Sequence, residues 1–162
     1  MNIFILDQVP EIAATYHCDK HVPKMIVETA QLLSTAHRTL DEHENHDNKY
    51  LISNKNHPCN IWLRQSKQNY RWLHRLGEAL LDEYYKRYQK TTPHKTHAIM
   101  NNLTQPPKNL PTKNLTPFAQ AMPDQYKHKN AITAYRTYYQ NDKAPICTWK
   151  TQPPPWWRKE QQ

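Results

Sequence analysis

The segment SKQNYRWLHRLGEALLDEYYKRY, residues 66–88, decides the fold class because it carries the clearest periodicity in the chain. Its core-facing positions recur every three to four residues, at Tyr70, Leu73, Leu76 or Gly77, Leu80, Tyr84 and Tyr88. With 3.6 residues per turn, this spacing places them on one face of a helix of about six turns. Ser66 is a suitable N-cap. The segment predicts a long amphipathic helix that packs against a core.

Other helical patterns surround this helix. We predict helices over residues 11–16, from Pro23 to about Leu40, from Pro58 to Gln65, from the pair Thr92 and Pro93 to about Asn102, and over residues 130–139. Residues 3–6 are apolar and predict a strand or an extended arm, whereas residues 41–56 are polar and predict a solvated loop. The chain is therefore expected to be all-α.

The length of 162 residues is sufficient for one hydrophobic core, so we expect a single domain over residues 1–162. Residues 1–103 predict a compact helical body. Residues 104–129 contain five prolines, which exclude a helix or a central strand and predict an extended strap over the body. Residues 130–162 predict a helix followed by an aromatic and basic tail.

Two residue types exclude whole classes of protein. The only glycine is Gly77, and it lies inside the long helix. Dinucleotide fingerprints, P-loops and nucleophile elbows all need several glycines, so those folds are excluded. The three cysteines have no CxxC spacing, which favours a reducing compartment over a disulfide framework.

No apolar run approaches the roughly 18 residues of a membrane span, so a cytoplasmic protein is expected.

The positive charge is confined to one half of the chain. Residues 1–81 contain nine Lys or Arg and nine Asp or Glu, whereas residues 82–162 contain thirteen against five and account for the net charge of +8. A basic surface of this kind favours a polyanionic partner, with nucleic acid first and an anionic membrane second. The candidate nucleic-acid contacts are Lys24, His57, Trp62, Arg64, Lys67, Arg71, Trp156, Trp157 and Arg158.

The densest cluster of polar residues runs from His17 to Glu28. His17 and His21 are four residues apart, a spacing used by metal ligands, and His57 and Cys59 would complete a site. The HExxH glutamate is missing, so we favour histidines that form hydrogen bonds and expect no metal or other cofactor. Glu28 lies beside an apolar stripe, where a carboxylate is costly unless it is paired. It is either paired with Lys24 or held for a function.

Several features together resemble the pyrimidine dimer DNA glycosylase/lyase family known from bacteriophages. The chain is short, basic and helical, and it has a His and a Glu seven residues apart, at His21 and Glu28. An Asn-His-Pro step at residues 56–58, a long helix ending in residues 83–88 and an aromatic basic C-terminus complete the resemblance. It covers residues 1–90 and the tail. The whole chain also looks like phage-type proteins that begin in the same way.

The resemblance implies that an N-terminal α-amine attacks C1′ of a damaged nucleotide, that a glutamate manages charge and protons, and that a Schiff base leads to strand cleavage. Met1 would supply the amine and Glu28 the carboxylate, with His21 on phosphates. Amines of this class titrate near pH 8, so part of the population is nucleophilic at neutral pH. Asn2 is too bulky to favour removal of Met1, which leaves Met1 and Lys20 as alternative nucleophiles. The candidate catalytic residues are Met1, His17, Asp19, Lys20, His21 and Glu28.

We therefore expect a DNA N-glycosylase/AP lyase for a damaged or modified pyrimidine in a bacterial or phage-infected cell, with DNA as its partner and no membrane. Extrusion of a base would use Trp62, Tyr70 or the tail indoles. Two alternatives stay open. One is a nucleic-acid-binding protein without catalysis, and the other is a hydrolase or transferase for nucleotides that uses His17, His21 and His57 as acid and base.

Overall fold

A computed structural model describes residues 1–158, and within them it contains helices and no strand. The α-helices are α1 (Pro10–Tyr16), α2 (His21–Leu40), α3 (Pro58–Leu63), α4 (Lys67–Tyr88), α5 (His97–Asn101) and α6 (Ala131–Tyr138). Single 3₁₀ turns occur at Asp124–Tyr126 and Ala144–Ile146, and a π-helical turn at Tyr139–Lys143. The predicted all-α fold is confirmed. None of the helices in this part of the chain is long and apolar enough to cross a membrane.

The two long helices pack against each other and form the centre of the core. Ser66 caps α4 by accepting a hydrogen bond of 3.0 Å from Asn69 N, as predicted. The single glycine allows the close packing. A Cβ on Gly77 would lie 2.9 Å from Thr29 Cγ2 of α2 and in collision with Met100 Cε of α5. The glycine at position 77 is thus explained by the close packing of α4 against α2 and α5, and not by an unusual backbone conformation.

Two helix starts differ from the prediction. Helix α2 begins at His21 rather than Pro23, because the first amides of a helix have no acceptor within it and a proline there loses no hydrogen bond. Helix α5 begins at His97 rather than Thr92. The preceding residues form a turn in which Tyr85 Oη accepts from His94 N and His94 Nδ1 accepts from Thr96 N.

The N-terminal arm is extended and buried. Residues 3–6 form no strand, although the exposed fraction of each side chain is 5% or less. This arm runs through the core next to α2 and α6, so Met1 and Asn2 lie between elements that are distant in sequence. The arm therefore places the N-terminus inside the fold.

The proline-rich strap is held to the helical body by backbone hydrogen bonds. Pro111 O accepts from Lys67 N at 2.8 Å, and the Asp41 carboxylate accepts from Lys108 N at 2.7 Å and Asn109 N at 3.1 Å. Burial raises the pKa of Asp41, but the hydrogen bonds outweigh it and leave the pKa below its ordinary value. The strap thus carries the chain from α5 to α6.

The aromatic tail also packs on the body. Trp156 lies edge-on to Tyr16 and Tyr139, with ring centroids 5.8 and 6.4 Å apart, and Trp157 lies edge-on to Tyr139. Residues 159–162, the end of the predicted tail, lie outside the described residues.

Candidate functional site

The side chain of Asn2 anchors the N-terminus. Its Nδ2 donates to Ala121 O at 2.8 Å, and its Oδ1 accepts from Ile3 N at 2.8 Å and from the Tyr135 hydroxyl at 3.1 Å. Tyr135 is fully buried, and Asn2 Oδ1 shares its single hydroxyl proton with Ala119 O, which lies 2.9 Å from the hydroxyl oxygen. The strap and α6 therefore fix the position of residue 2, which in turn fixes the position of the α-amine.

The Met1 side chain is buried beside two asparagines. Its exposed fraction is 4%, and its Sδ lies 3.7 Å from Asn54 Nδ2 and 3.8 Å from Asn60 Nδ2. Asn54 adopts a left-handed conformation with φ of 51°, a region that asparagine enters more readily than most residues. The fold thus encloses the thioether of Met1 and leaves the α-amine at the edge of a cavity.

Glu28 of α2 pairs with this N-terminus. Its Oε1 lies 3.5 Å from Met1 N and accepts a hydrogen bond of 3.1 Å from Asn2 N. Among the described residues the ion pair of Glu28 is with Met1, so the alternative pair with Lys24 does not form. The carboxylate beside the apolar stripe is satisfied by the chain terminus.

A cavity of about 130 Å³ opens at this ion pair. Its lining consists of Met1, Asn2, Phe4, His21, Lys24, Met25, Glu28, Tyr138 and Lys143. Lys24 is exposed, and Lys143 lies over the Tyr138 ring with Nζ 5.1 Å from the centroid. The cavity thus contains a primary amine, a carboxylate, an imidazole and two lysines, a set that suits an anionic substrate.

His21 is held rigidly at the wall of this cavity. Its ring stacks on Phe4 with centroids 4.6 Å apart and planes 11° apart, and its Nδ1 lies 2.7 Å from the Tyr139 hydroxyl. The same hydroxyl accepts from Cys18 N at 3.0 Å. Hydrogen bonding with Cys147 lowers the pKa of the Cys18 thiol and raises that of Cys147. All three cysteines are free.

His17 and Asp19 lie in the core beside the site rather than in its cavity. His17 Nδ1 donates to Ala13 O at 2.8 Å, and burial lowers the pKa of His17 to about 3. Asp19 accepts from Arg87 Nη1 at 3.3 Å and from Lys150 N at 3.0 Å. The Arg87 guanidinium also binds the His17 carbonyl at 2.6 Å. These contacts give both residues structural partners.

Lys20 and His57 occupy the periphery. Lys20 is exposed and does not line the cavity. His57 caps α3, since its Nδ1 accepts from Cys59 N at 3.0 Å. Burial lowers the pKa of His57, the Met1 ammonium lowers it further, and Glu28 opposes the shift. His57 therefore lies within the electrostatic range of the amine and carboxylate without lining their cavity.

The structure does not assemble the alternative metal site. Among residues 1–158, no group of three or more His, Cys, Asp or Glu side chains is arranged to hold a metal ion. His57 and Cys59 lie at the start of α3, whereas His17 closes α1 and His21 opens α2.

The predicted nucleic-acid contacts are distributed over several surfaces. Trp62 is 2% exposed and packs against Trp72 and Phe118, so its ring belongs to the core and is not available for stacking on a base. Tyr70 is likewise fully buried.

The cations of this set are exposed or half-buried. Arg64 is half-buried and donates to Lys55 O at 2.8 Å, and its partial burial lowers its pKa. Lys67 and Arg71 line a separate groove of about 470 Å³. Arg158 is exposed at the end of the tail, while Trp156 and Trp157 are half-buried.

Sequence reasoning missed the residues that the C-terminal segment adds to the site. Tyr138, Tyr139 and Lys143 lie more than 100 residues after His21, at the end of α6 and in the π-helical turn. Turns of this kind occur frequently at functional sites. The three tyrosines of residues 130–139 were a visible signal, but they predicted only a helix face.

Comparison with known families supports the resemblance. The family model described as pyrimidine dimer DNA glycosylase matches residues 1–96, more than half of the chain. Comparisons with curated proteins and with solved structures found no match. The matched residues include Met1 and the whole of α1 to α4, and therefore also Glu28 in α2.

Proposed function

Because the chain belongs to the pyrimidine dimer DNA glycosylase family, we propose that it is a DNA N-glycosylase with AP lyase activity toward a damaged or modified pyrimidine. In this proposal the α-amine of Met1 is the nucleophile. The Glu28 carboxylate stabilises the positive charge that develops on the sugar and accepts and donates protons. The observation that carries it is the distance of 3.5 Å between Met1 N and Glu28 Oε1 at the mouth of a cavity.

The proposed reaction begins with the uncharged amine. Its lone pair attacks C1′ of the nucleotide while the bond from C1′ to the base breaks, and the base leaves with the bonding electrons and takes up a proton. The carboxylate of Glu28 stabilises the positive charge that develops on the sugar and accepts a proton from the attacking nitrogen. The ring oxygen then leaves C1′ and takes up the proton held by Glu28, which gives the C4′ hydroxyl and an iminium ion between Met1 and the opened sugar.

The second half of the proposed reaction cleaves the strand. Loss of a proton from C2′ expels the 3′ phosphate by β-elimination, and water then hydrolyses the iminium ion to release the unsaturated aldehyde and restore the amine. Glu28 lies close enough to the amine to accept the proton of the attacking nitrogen and, later, the proton from C2′. The proposed reaction uses no metal or cofactor.

The surroundings of the amine support Met1 over Lys20 as the nucleophile. Met1 is enclosed by Asn54 and Asn60 and its amine faces Glu28, whereas Lys20 is exposed and outside the cavity lining. Lys24 and Lys143 would bind the phosphates that flank the target nucleotide. The basic groove beside Lys67 and Arg71 would contact the DNA backbone further from the lesion. A cytoplasmic location stays a prediction.

Burial argues against His17 as an acid or base in the alternative nucleotide hydrolase or transferase. His17 is fully buried, and its pKa of about 3 keeps it neutral near pH 7. His21 and His57 remain as the other candidate acid and base of that alternative. The binding protein without catalysis is the alternative that the experiment below separates from the enzyme.

The experiment compares the protein with its Glu28→Gln variant on labelled duplexes that carry ultraviolet photoproducts, abasic sites or modified pyrimidines, with and without borohydride. We expect strand cleavage and a trapped covalent adduct with the wild type, and loss of cleavage by a factor of about 10² or more in Glu28→Gln. Glu42→Gln is the matched control because Glu42 is 72% exposed and, within residues 1–158, its ion pair is with exposed His43. Binding of every duplex without cleavage or adduct would refute the enzyme.

A further inference from the structure

The hydroxyl of Tyr139 has a defined place in the wall of the cavity. It is fully buried, lies 2.7 Å from His21 Nδ1 and accepts from Cys18 N at 3.0 Å. Tyr139 is the first residue of the π-helical turn and lies beyond residues 1–96, the part that the family model matches. The contact therefore joins the C-terminal segment to the first helical position of α2.

The hydrogen bonds of this hydroxyl determine where its proton lies. Cys18 N–H occupies one lone pair of the oxygen, and the hydroxyl proton needs an acceptor because the group is buried. His21 Nδ1 is a strong acceptor at a short distance. The sulfur atoms of Cys18 and Cys147 also lie near the hydroxyl and are the competing acceptors, but the contact of 2.7 Å with His21 Nδ1 is the one that has hydrogen-bond geometry. Donation from Tyr139 to Nδ1 leaves Nε2 as the protonated nitrogen of a neutral His21.

We infer that Tyr139 is a positioning residue that presents His21 to the substrate as an Nε2–H donor. Stacking on Phe4 fixes the plane of the imidazole, and the bond to Tyr139 fixes its rotation and tautomer. His21 lines the same cavity as Met1 and Glu28, so the donor is available to an oxygen of the bound nucleotide. Donation from His21 to the substrate rests on the proposed function, whereas the tautomer of His21 does not depend on it.

Nitrogen NMR of the intact protein tests the tautomer directly. In protein labelled with ¹⁵N-histidine, long-range correlations identify which ring nitrogen carries the proton, and the His21→Gln variant assigns the signals. We expect His21 to carry its proton on Nε2, with Nδ1 as a hydrogen-bonded acceptor. A proton on Nδ1 in the neutral wild-type ring would overturn the inference without any substitution in the site.

Two tyrosine variants form a matched pair for the same spectra. Tyr139→Phe should shift the Nδ1 signal of His21. Tyr70→Phe removes an equally buried tyrosine that bonds His37 Nε2 at 2.9 Å, so it should shift the signals of His37 and leave those of His21 unchanged. Unchanged His21 signals in Tyr139→Phe would overturn the inference.

Turnover of the lesion duplex measures the functional consequence. Tyr139→Phe should lower kcat about tenfold, as expected for one lost positioning hydrogen bond, with little change in duplex affinity. Tyr70→Phe should retain wild-type kcat. Equal kcat in Tyr139→Phe and the wild type would overturn the positioning role. If the wild type turns over no duplex, the proposed function fails while the NMR result still decides the tautomer.

Discussion

His17 should make the stability of the protein depend on pH in the acidic range. Burial is the main cause that lowers its pKa to about 3, with smaller contributions from the charges of His21 and Arg87, whereas the hydrogen bond to Ala13 O opposes the shift. The ordinary histidine pKa of 6.5 applies in the unfolded chain. Between these two values the unfolded state binds more protons, so stability falls as the pH is lowered from 6.5 toward 3. At pH 5 the difference amounts to about 2 kcal/mol for this one residue.

The variant His17→Asn isolates this contribution, because the Asn Nδ2 can replace the Nδ1 donor to Ala13 O but does not titrate. Urea unfolding at pH 7 and pH 5 should show that the wild type loses about 2 kcal/mol more than the variant between the two pH values. The lowered pKa values of His37, His57 and His94 act in the same direction in both proteins and cancel from the comparison. An equal loss in both proteins would refute the reasoning, and with it the view that His17 is a neutral core residue.

Three further predictions test the packing, the buried charges and the chain terminus. Gly77→Ala should lower the free energy of unfolding by about 1–3 kcal/mol. The same substitution should cost less when it is made in the Met100→Ala variant, with Met100→Ala alone as the reference. Unchanged stability of Gly77→Ala in urea would contradict the packing. Arg87→Leu should lower the free energy of unfolding by about 3–5 kcal/mol, because it leaves the buried carboxylates of Asp19 and Glu83 without their ion pair. Arg75→Leu, which removes the exposed pair with Glu11, should lower it by about 1 kcal/mol or less. A two-residue extension before Met1 should abolish the borohydride adduct while the protein still binds DNA, and an adduct at wild-type yield would exclude the terminal amine.

Local patterns were sufficient to predict the main helices. The spacing of apolar side chains and the Ser66 cap lie within α4 itself, so the prediction needed no knowledge of its neighbours. The predicted starts of α2 and α5 were wrong, and the reason is also local. Pro23 is tolerated at more than one position of a first turn, and residues 91–96 are held in a non-helical turn by side-chain hydrogen bonds of Tyr85 and His94.

The site was predictable only in part. His21 and Glu28 share one helix, and their types and spacing made them candidates from the sequence. The contact of Glu28 with Met1 depends on the path of the N-terminal arm through the core, and the contact of His21 with Tyr139 spans 118 residues. The burial of Trp62 also depends on tertiary packing, because the same ring suits a core or a base stack.

Identification of the atom that carries the trapped sugar tests the central claim most directly. The wild-type protein is reacted with an abasic or photoproduct duplex, reduced with borohydride, digested with nuclease and protease, and analysed by tandem mass spectrometry. We predict that the N-terminal peptide retains Met1 and carries the sugar remnant on the Met1 α-nitrogen, beside Glu28. An adduct on Lys20, Lys24 or Lys143, or no adduct with any duplex, would contradict the account.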